Sequence, residues 1–171
     1  MIFKKISGFL LVATLLIMVS SCISYRLNST SIPDNVKTFQ VDFFGNQAAI
    51  VEPGIERTFT LRLQDLIQDQ SSLSLVTNNG DYIYQGNITR FYIAPMTATA
   101  NDRAAQNRVT IEINLIFTNT KVEEESYDKL YSFFYDYDAN TQLQGAALDT
   151  ALDVIYDQIT QDIYNDTLNK W

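Results

Sequence analysis

The side chains that most often carry catalysis are scarce in this sequence of 171 residues. It contains no histidine, the commonest general base and metal ligand, and its single cysteine is Cys22. It also lacks the glycine-rich phosphate loop, the dinucleotide-binding fingerprint and the nucleophile elbow of serine hydrolases. Carboxylates are therefore the first candidates for acid–base chemistry, and arginines are the first candidates for binding anionic ligands.

One pair of carboxylates, Asp136 and Asp138, has a spacing that a membrane-tethered hydrolase could use for acid–base chemistry. Neither carboxylate has an evident partner in the sequence. The same stretch begins like a calcium-binding loop, but Thr141 stands where such a loop needs glycine and Ala147 where it needs glutamate. The pattern therefore favours a strand end and a turn before a helix.

Five aspartates near the C-terminal end recur at nearly helical spacing and predict an acidic ridge. They are Asp149, Asp153, Asp157, Asp162 and Asp166. Like charges one turn apart destabilise a helix slightly, which favours a functional reason for the ridge. Two interpretations are open: the ridge binds divalent cations or a partner, or it is a solvated face. The first gives an alternative function, a tethered periplasmic lipoprotein that binds cations or small ligands.

Three arginines, Arg90, Arg103 and Arg108, bracket a stretch of small residues between two predicted strands. The planar guanidinium donates two parallel hydrogen bonds to a phosphate or a carboxylate. These residues are therefore candidates for contact with an anionic ligand. The alternative is that they pair with neighbouring acids on the sheet.

The N-terminal region has the layout of a cleavable signal peptide over residues 1–21. Lys4 and Lys5 precede an almost wholly apolar run over residues 9–19, and two serines follow. A retained anchor helix is the alternative, but a spanning helix needs about 20 apolar residues and this run has 11.

The residues VSSC that end at Cys22 resemble the lipobox of bacterial lipoproteins, in which the cysteine becomes the lipidated N terminus. A thiol is well suited to accept the lipid, and each buried methylene then contributes about 0.8 kcal/mol to membrane binding. The resemblance implies a lipid anchor at Cys22 and a tether over residues 22–35. The next residue, Ile23, is not aspartate, which by the known sorting rule implies the outer membrane.

The remaining residues, 36–171, have the size and composition of one globular domain, since the chain is 46% hydrophobic and 12% aromatic. Residues 112–171 carry twelve acidic and three basic side chains, and the whole chain has a formal net charge of −8. Nucleic-acid binding requires a basic face, so this charge argues against it.

Hydrophobic periodicity predicts the order β-α-β-β-β-β-α. The predicted strands cover residues 36–43, 73–76, 82–92, 108–117 and 130–138, and the predicted helices cover residues 55–70 and 143–168. Gly86 inside a strand predicts a bulge or a close backbone approach. Consecutive strands with short links pair antiparallel, which predicts an α+β fold with two helices on one face of a mostly antiparallel sheet.

The order of these segments resembles the lipopolysaccharide-assembly lipoprotein family LptE, in its Bacteroidetes-type form. The similarity covers nearly the whole chain after the cysteine. It is carried by VKTFQVDFFGN, RTFTLRLQDLI, GDYIYQGNITRFY, RVTIEINLIF and IYNDTLNKW.

This resemblance implies two helices on a sheet of about four strands, and a protein that is neither an enzyme nor dependent on a cofactor. It further implies a position on the periplasmic side of the outer membrane, as a plug inside the β-barrel LptD. There the protein would help the barrel to assemble and to insert lipopolysaccharide. Arg103 is the nearest match by position to basic loop residues that the family uses for lipopolysaccharide contact.

Overall fold

Six strands and two helices form the domain in the computed structural model, which describes residues 32–49, 52–96 and 105–169. The strands are β1 (Thr38–Val41), β2 (Gly45–Asn46), β3 (Ser74–Leu75), β4 (Tyr82–Met96), β5 (Gln106–Asn119) and β6 (Tyr127–Asp138). The helices are α1 (Ile55–Gln70) and α2 (Ala146–Leu168). A 3-10 turn over Glu123–Glu125 connects β5 to β6.

The sheet is mixed, with the strand order β3-β1-β4-β5-β6 and with β2 also pairing to β4. The long strands β4, β5 and β6 form the predicted antiparallel meander. By contrast, β1 runs parallel to both β3 and β4, and β2 runs parallel to β4. The α+β class is confirmed, whereas the prediction of about four mostly antiparallel strands is wrong. The reason is that α1 lies between β1 and β3 along the chain, and a helical crossover joins parallel strands.

The β4–β5 pairing is the longest in the sheet and extends from Tyr82 opposite Asn119 to Met96 opposite Gln106. Its register shifts by one residue between Ile88 and Arg90. At Gly86 a Cβ atom would lie 2.0 Å from the carbonyl oxygen of Asn114, so only glycine fits. The predicted close approach at Gly86 is therefore confirmed, and the bulge lies three residues further along β4.

The core lies between the two helices and the apolar face of the sheet. The predicted alternation in β5 is confirmed, because its buried apolar residues are Val109, Ile111, Ile113, Leu115 and Phe117. The helices contribute Ile55, Phe59, Leu63 and Ile67 from α1 and Leu148, Leu152, Ile155, Ile159 and Ile163 from α2. Within the described part of the chain, neither helix is long and apolar enough to cross a membrane.

Candidate functional site

Arg108 of β5 and Asp136 of β6 form a bidentate ion pair on the sheet face opposite the helices. The Arg108 Nε and Nη2 atoms each donate a hydrogen bond of 2.7 Å to the Asp136 carboxylate. The guanidinium also lies 3.5 Å from the ring centroid of Phe134, a cation–π contact. These hydrogen bonds lower the pKa of Asp136. A general acid in glycoside hydrolysis needs a raised pKa, so Asp136 is prepared for pairing and not for proton donation.

Asp138, the second carboxylate of the suspected pair, shapes a turn. Its Oδ1 atom accepts hydrogen bonds from the backbone N–H of Asn140, at 2.8 Å, and from its side-chain amide, at 2.9 Å. The expected strand end and turn before α2 are thus present. The two carboxylates serve local structure, and their contacts give the hydrolase interpretation no support.

Arg90 of β4 lies on the same outer face and is held more loosely than Arg108. Its Nη1 atom is 3.2 Å from Glu112 Oε1, and 65% of its side chain is exposed. The guanidinium is 5.6 Å from the ring centroid of Tyr92. The alternative interpretation, pairing with neighbouring acids, therefore describes both Arg90 and Arg108, although Arg90 keeps donors free for a further ligand.

Two predicted functional positions, Arg103 and Cys22, lie outside the described residues, as do the signal peptide and most of the tether. Arg103 belongs to residues 97–104, which connect β4 to β5. The strand residues on either side of that connection, Met96 and Gln106, pair with each other. The arginines at positions 90 and 108 thus lie on the strands that lead to and from residue 103.

The predicted acidic ridge is not continuous. Arg62 of α1 donates hydrogen bonds to both Asp153 and Asp157. Asp166 instead accepts hydrogen bonds from Lys129 Nζ at 2.6 Å and from the Tyr131 hydroxyl at 2.7 Å, both on β6. The aspartates lie on two sides of α2 because the five-residue step from 157 to 162 turns a helix by about 140°.

These ion pairs connect α2 to α1 on one side and to β6 on the other. Across residues 32–49, 52–96 and 105–169, no three acidic or cysteine side chains come together in a way that could hold a metal ion. The cation-binding interpretation of the ridge therefore has no support in the part of the chain that is described.

A surface groove between the helices was not predicted from the sequence. Its volume is about 710 Å³, and residues of α1, α2 and β6 line it. Asp65 and Asp69 of α1 contribute carboxylates, and Leu66, Val154 and Phe133 contribute apolar surface. The sequence signal was the pair of acids one turn apart in α1, but nothing in the sequence placed them opposite α2.

Two helices cover one face of the sheet, and ion-paired polar side chains lie on the other. The domain is therefore α+β with binding surfaces. Its described residues include no catalytic constellation. The chain belongs to the lipopolysaccharide-assembly family LptE, whose family model matches residues 36–167. This confirms the resemblance found in the sequence. Membership makes the chain a lipoprotein of lipopolysaccharide assembly, in a family that acts with the transport machinery and not as an enzyme.

Three of the solved structures that align with this chain have TM-scores from 0.47 to 0.52. A protein from Xanthomonas campestris aligns with a TM-score of 0.52 at 14% identity, covering 80% of this chain and 86% of that one. An uncharacterized lipoprotein B from Nitrosomonas europaea aligns at 0.49 with 10% identity, covering 75% and 79%. A minor lipoprotein from Acinetobacter baumannii aligns at 0.47 with 11% identity, covering 77% and 95%. At these identities, the first alignment establishes a shared fold and no shared function. No curated protein matches the sequence.

Proposed function

We propose that the mature protein is an outer-membrane lipoprotein that plugs an LptD-type β-barrel and helps it to assemble and to deliver lipopolysaccharide to the outer leaflet. The family match over residues 36–167 carries this proposal. In it, residues 1–21 are the signal peptide, Cys22 bears the lipid, residues 22–35 are the tether and residues 36–171 are the plug. The plug acts by binding and has no enzymatic step.

The arrangement of the strands supports a plug. Lys37, two residues after the proposed tether, donates a backbone N–H hydrogen bond of 2.8 Å to the carboxylate of Asp81. From there β4 extends for 15 residues, roughly 50 Å at about 3.3 Å per residue. The apolar band of an outer-membrane barrel is about 25 Å tall. A domain anchored at the Asp81 end is therefore long enough for Met96 to reach past this band.

Two ion pairs on the outer sheet face suit a barrel interior, because a barrel lumen is polar. Arg108 and Asp136 neutralise one another there, as do Arg90 and Glu112. In this proposal Arg103, beyond the far end of β4, makes the first contact with lipopolysaccharide phosphates. Arg90 adds a second contact, since its side chain is 65% exposed. Arg108 contributes least because a phosphate must displace the bidentate Asp136.

Co-purification tests whether the protein binds the proposed barrel. The full-length protein, extracted with its lipid in mild detergent, is expected to recover one large β-barrel protein, and mass spectrometry is expected to find the lipid on Cys22. The Cys22→Ala variant is expected to lose the lipid and most of the recovered barrel. Recovery of no barrel by the lipidated protein contradicts the proposed partner, and an unmodified Cys22 contradicts the proposed anchor.

Photocrosslinking in cells tests the proposed arginine contact. A photoreactive amino acid at position 103 is expected to crosslink to lipopolysaccharide. Arg103→Glu is expected to reduce surface delivery of lipopolysaccharide severalfold. Arg57→Glu is the matched control, since Arg57 is an exposed arginine of α1, away from the outer sheet face. Crosslinks to protein alone, with equal delivery by both variants, contradict direct contact.

A further inference from the structure

The groove between α1 and α2 combines apolar side chains with an acidic rim. Leu66 of α1, Val154 of α2 and Phe133 of β6 supply the apolar surface. Val154 is 41% exposed, and Leu66 and Phe133 are partly buried against the core. Accessible apolar surface in a concave site is typical of binding sites. The groove therefore offers a partner hydrophobic contact that the isolated chain leaves unused.

The acidic side chains on the rim of the groove outnumber the basic ones. Asp65, Asp69 and Asp157 line the groove, and Arg62 is the basic residue among its lining residues. Arg62 is already committed to Asp153 and Asp157. Asp65 and Asp69 form no ion pair with any described residue, although they repel each other across one helical turn. Two carboxylates are thus available to a cationic ligand.

We infer that this groove binds a short basic segment of a protein partner, in which lysine or arginine alternates with apolar residues. Lysine and arginine lay their methylene stems along apolar surface and keep their charged ends near carboxylates, which is the combination that the groove presents. The excess negative charge repels phosphate-bearing ligands. In the described residues the groove also lacks the third clustered ligand that a metal site requires.

The dimensions fit a peptide in extended conformation. From Val154 to Gln161 the groove follows eight residues of α2, whose seven steps of 1.5 Å give a length of about 10 Å. An extended segment advances about 3.3 Å per residue, so about three or four residues fill this length. The inference rests on the proposed function and deepens it, because it names the surface through which α1 and α2 contact the barrel protein.

Crosslinking from inside the groove tests the inference on the full-length lipidated chain in cells. A photoreactive amino acid replaces Gln158, which lines the groove and is exposed. We expect mass spectrometry to identify a crosslinked protein segment that carries lysine or arginine beside apolar residues. Asp65→Lys with Asp69→Lys is expected to lower the yield at least about tenfold. Asp65→Asn with Asp69→Asn, which preserves side-chain shape, is expected to lower it less.

The matched control is Glu123→Lys with Glu124→Lys, an identical charge change at the exposed 3-10 turn. It is expected to leave the yield unchanged. Three outcomes overturn the inference. They are crosslinks to lipopolysaccharide, crosslinks to a segment without basic residues, and equal losses of crosslinking yield in both double-lysine variants. If the barrel still co-purifies when the groove gives no protein crosslink, the inference fails and the proposed function stands. If no barrel co-purifies, the proposed function fails first.

Discussion

Asp81 joins the start of β1, the start of β4 and the β5–β6 connection. Its Oδ2 atom accepts hydrogen bonds from the backbone N–H groups of Lys37 and Thr38, at 2.8 and 3.0 Å. Its Oδ1 atom lies 2.7 Å from Lys121 Nζ. Removing the carboxylate takes the charged acceptor away from the part-buried Thr38 amide and from the exposed Lys37 amide. Asp81→Ala is therefore expected to lower the free energy of unfolding by about 1–3 kcal/mol. Urea denaturation measures this change.

Lys121→Met is the control for Asp81→Ala, because it removes the ion pair and keeps both amide hydrogen bonds. The side chains of Lys121 and Asp81 are 37% and 15% exposed, so the pair itself contributes about 0–1 kcal/mol. An equal loss of stability in Lys121→Met and Asp81→Ala would contradict the role assigned to the amide bonds.

The same contacts predict a dependence of stability on pH. The Lys121 hydrogen bond and the Lys37 and Thr38 amides lower the pKa of Asp81 well below its usual range. A lowered folded-state pKa means stability that is fully present above the unfolded value of about 3.9 and is lost as pH falls through the folded value. The unfolding free energy is therefore expected to fall more steeply below about pH 4 in the wild type than in Asp81→Asn. Urea titrations between pH 7 and pH 2.5 compare the slopes, and parallel curves would exclude Asp81 as the cause.

At the scale of elements, the long periodic segments and the short strands β1 and β3 were predicted from the sequence, whereas β2 was not. The prediction for α1 agrees with Ile55–Gln70 at both ends, since its apolar residues repeat with the helical period. The sequence predicts no strand over the two residues of β2, because two residues carry no period. The parallel pairing of β1 with β4 joins segments about 40 residues apart, so neither segment alone indicates it.

Gly86 allows a close approach between β4 and β5, which gives a test of this element. In Gly86→Ala the new Cβ would lie 2.0 Å from the Asn114 carbonyl oxygen and 2.9 Å from Phe44 Cε1. Both strands must shift, so we expect a loss of about 3 kcal/mol in the free energy of unfolding.

Gly54→Ala is the comparison for Gly86→Ala, because Gly54 has φ of +89° but no neighbour within 4 Å of an added Cβ. Strain alone is expected to cost about 1–2 kcal/mol there. Thermal or urea denaturation measures the loss of stability in both variants. A smaller loss in Gly86→Ala than in Gly54→Ala would contradict the steric account.

At the scale of the whole molecule, the residue types of the candidate sites were predictable and their partners were not. The sequence identified Arg90 and Arg108 as a pair of cations, but strand register decides that they face Glu112 and Asp136. The acidic groove exists only because α1 and α2 pack side by side. Cys22 and Arg103 lie outside the described residues, so the lipid anchor and the lipopolysaccharide contact remain predictions.

The order of the strands predicts which strands of the sheet exchange their amide hydrogens fastest. β5 is paired on both sides, and so is the first half of β4, over residues 82–88, whereas β6 pairs only with β5 among the described residues and β3 has two residues. Amide hydrogen exchange is expected to be slowest in β5 and in the first half of β4, and fast in β3. Along β6 protection should alternate, since every second N–H points away from β5. Residue-resolved exchange by NMR measures this pattern. Uniform protection along all twelve residues of β6 would mean that its outer edge is covered, and would contradict the edge position assigned to it.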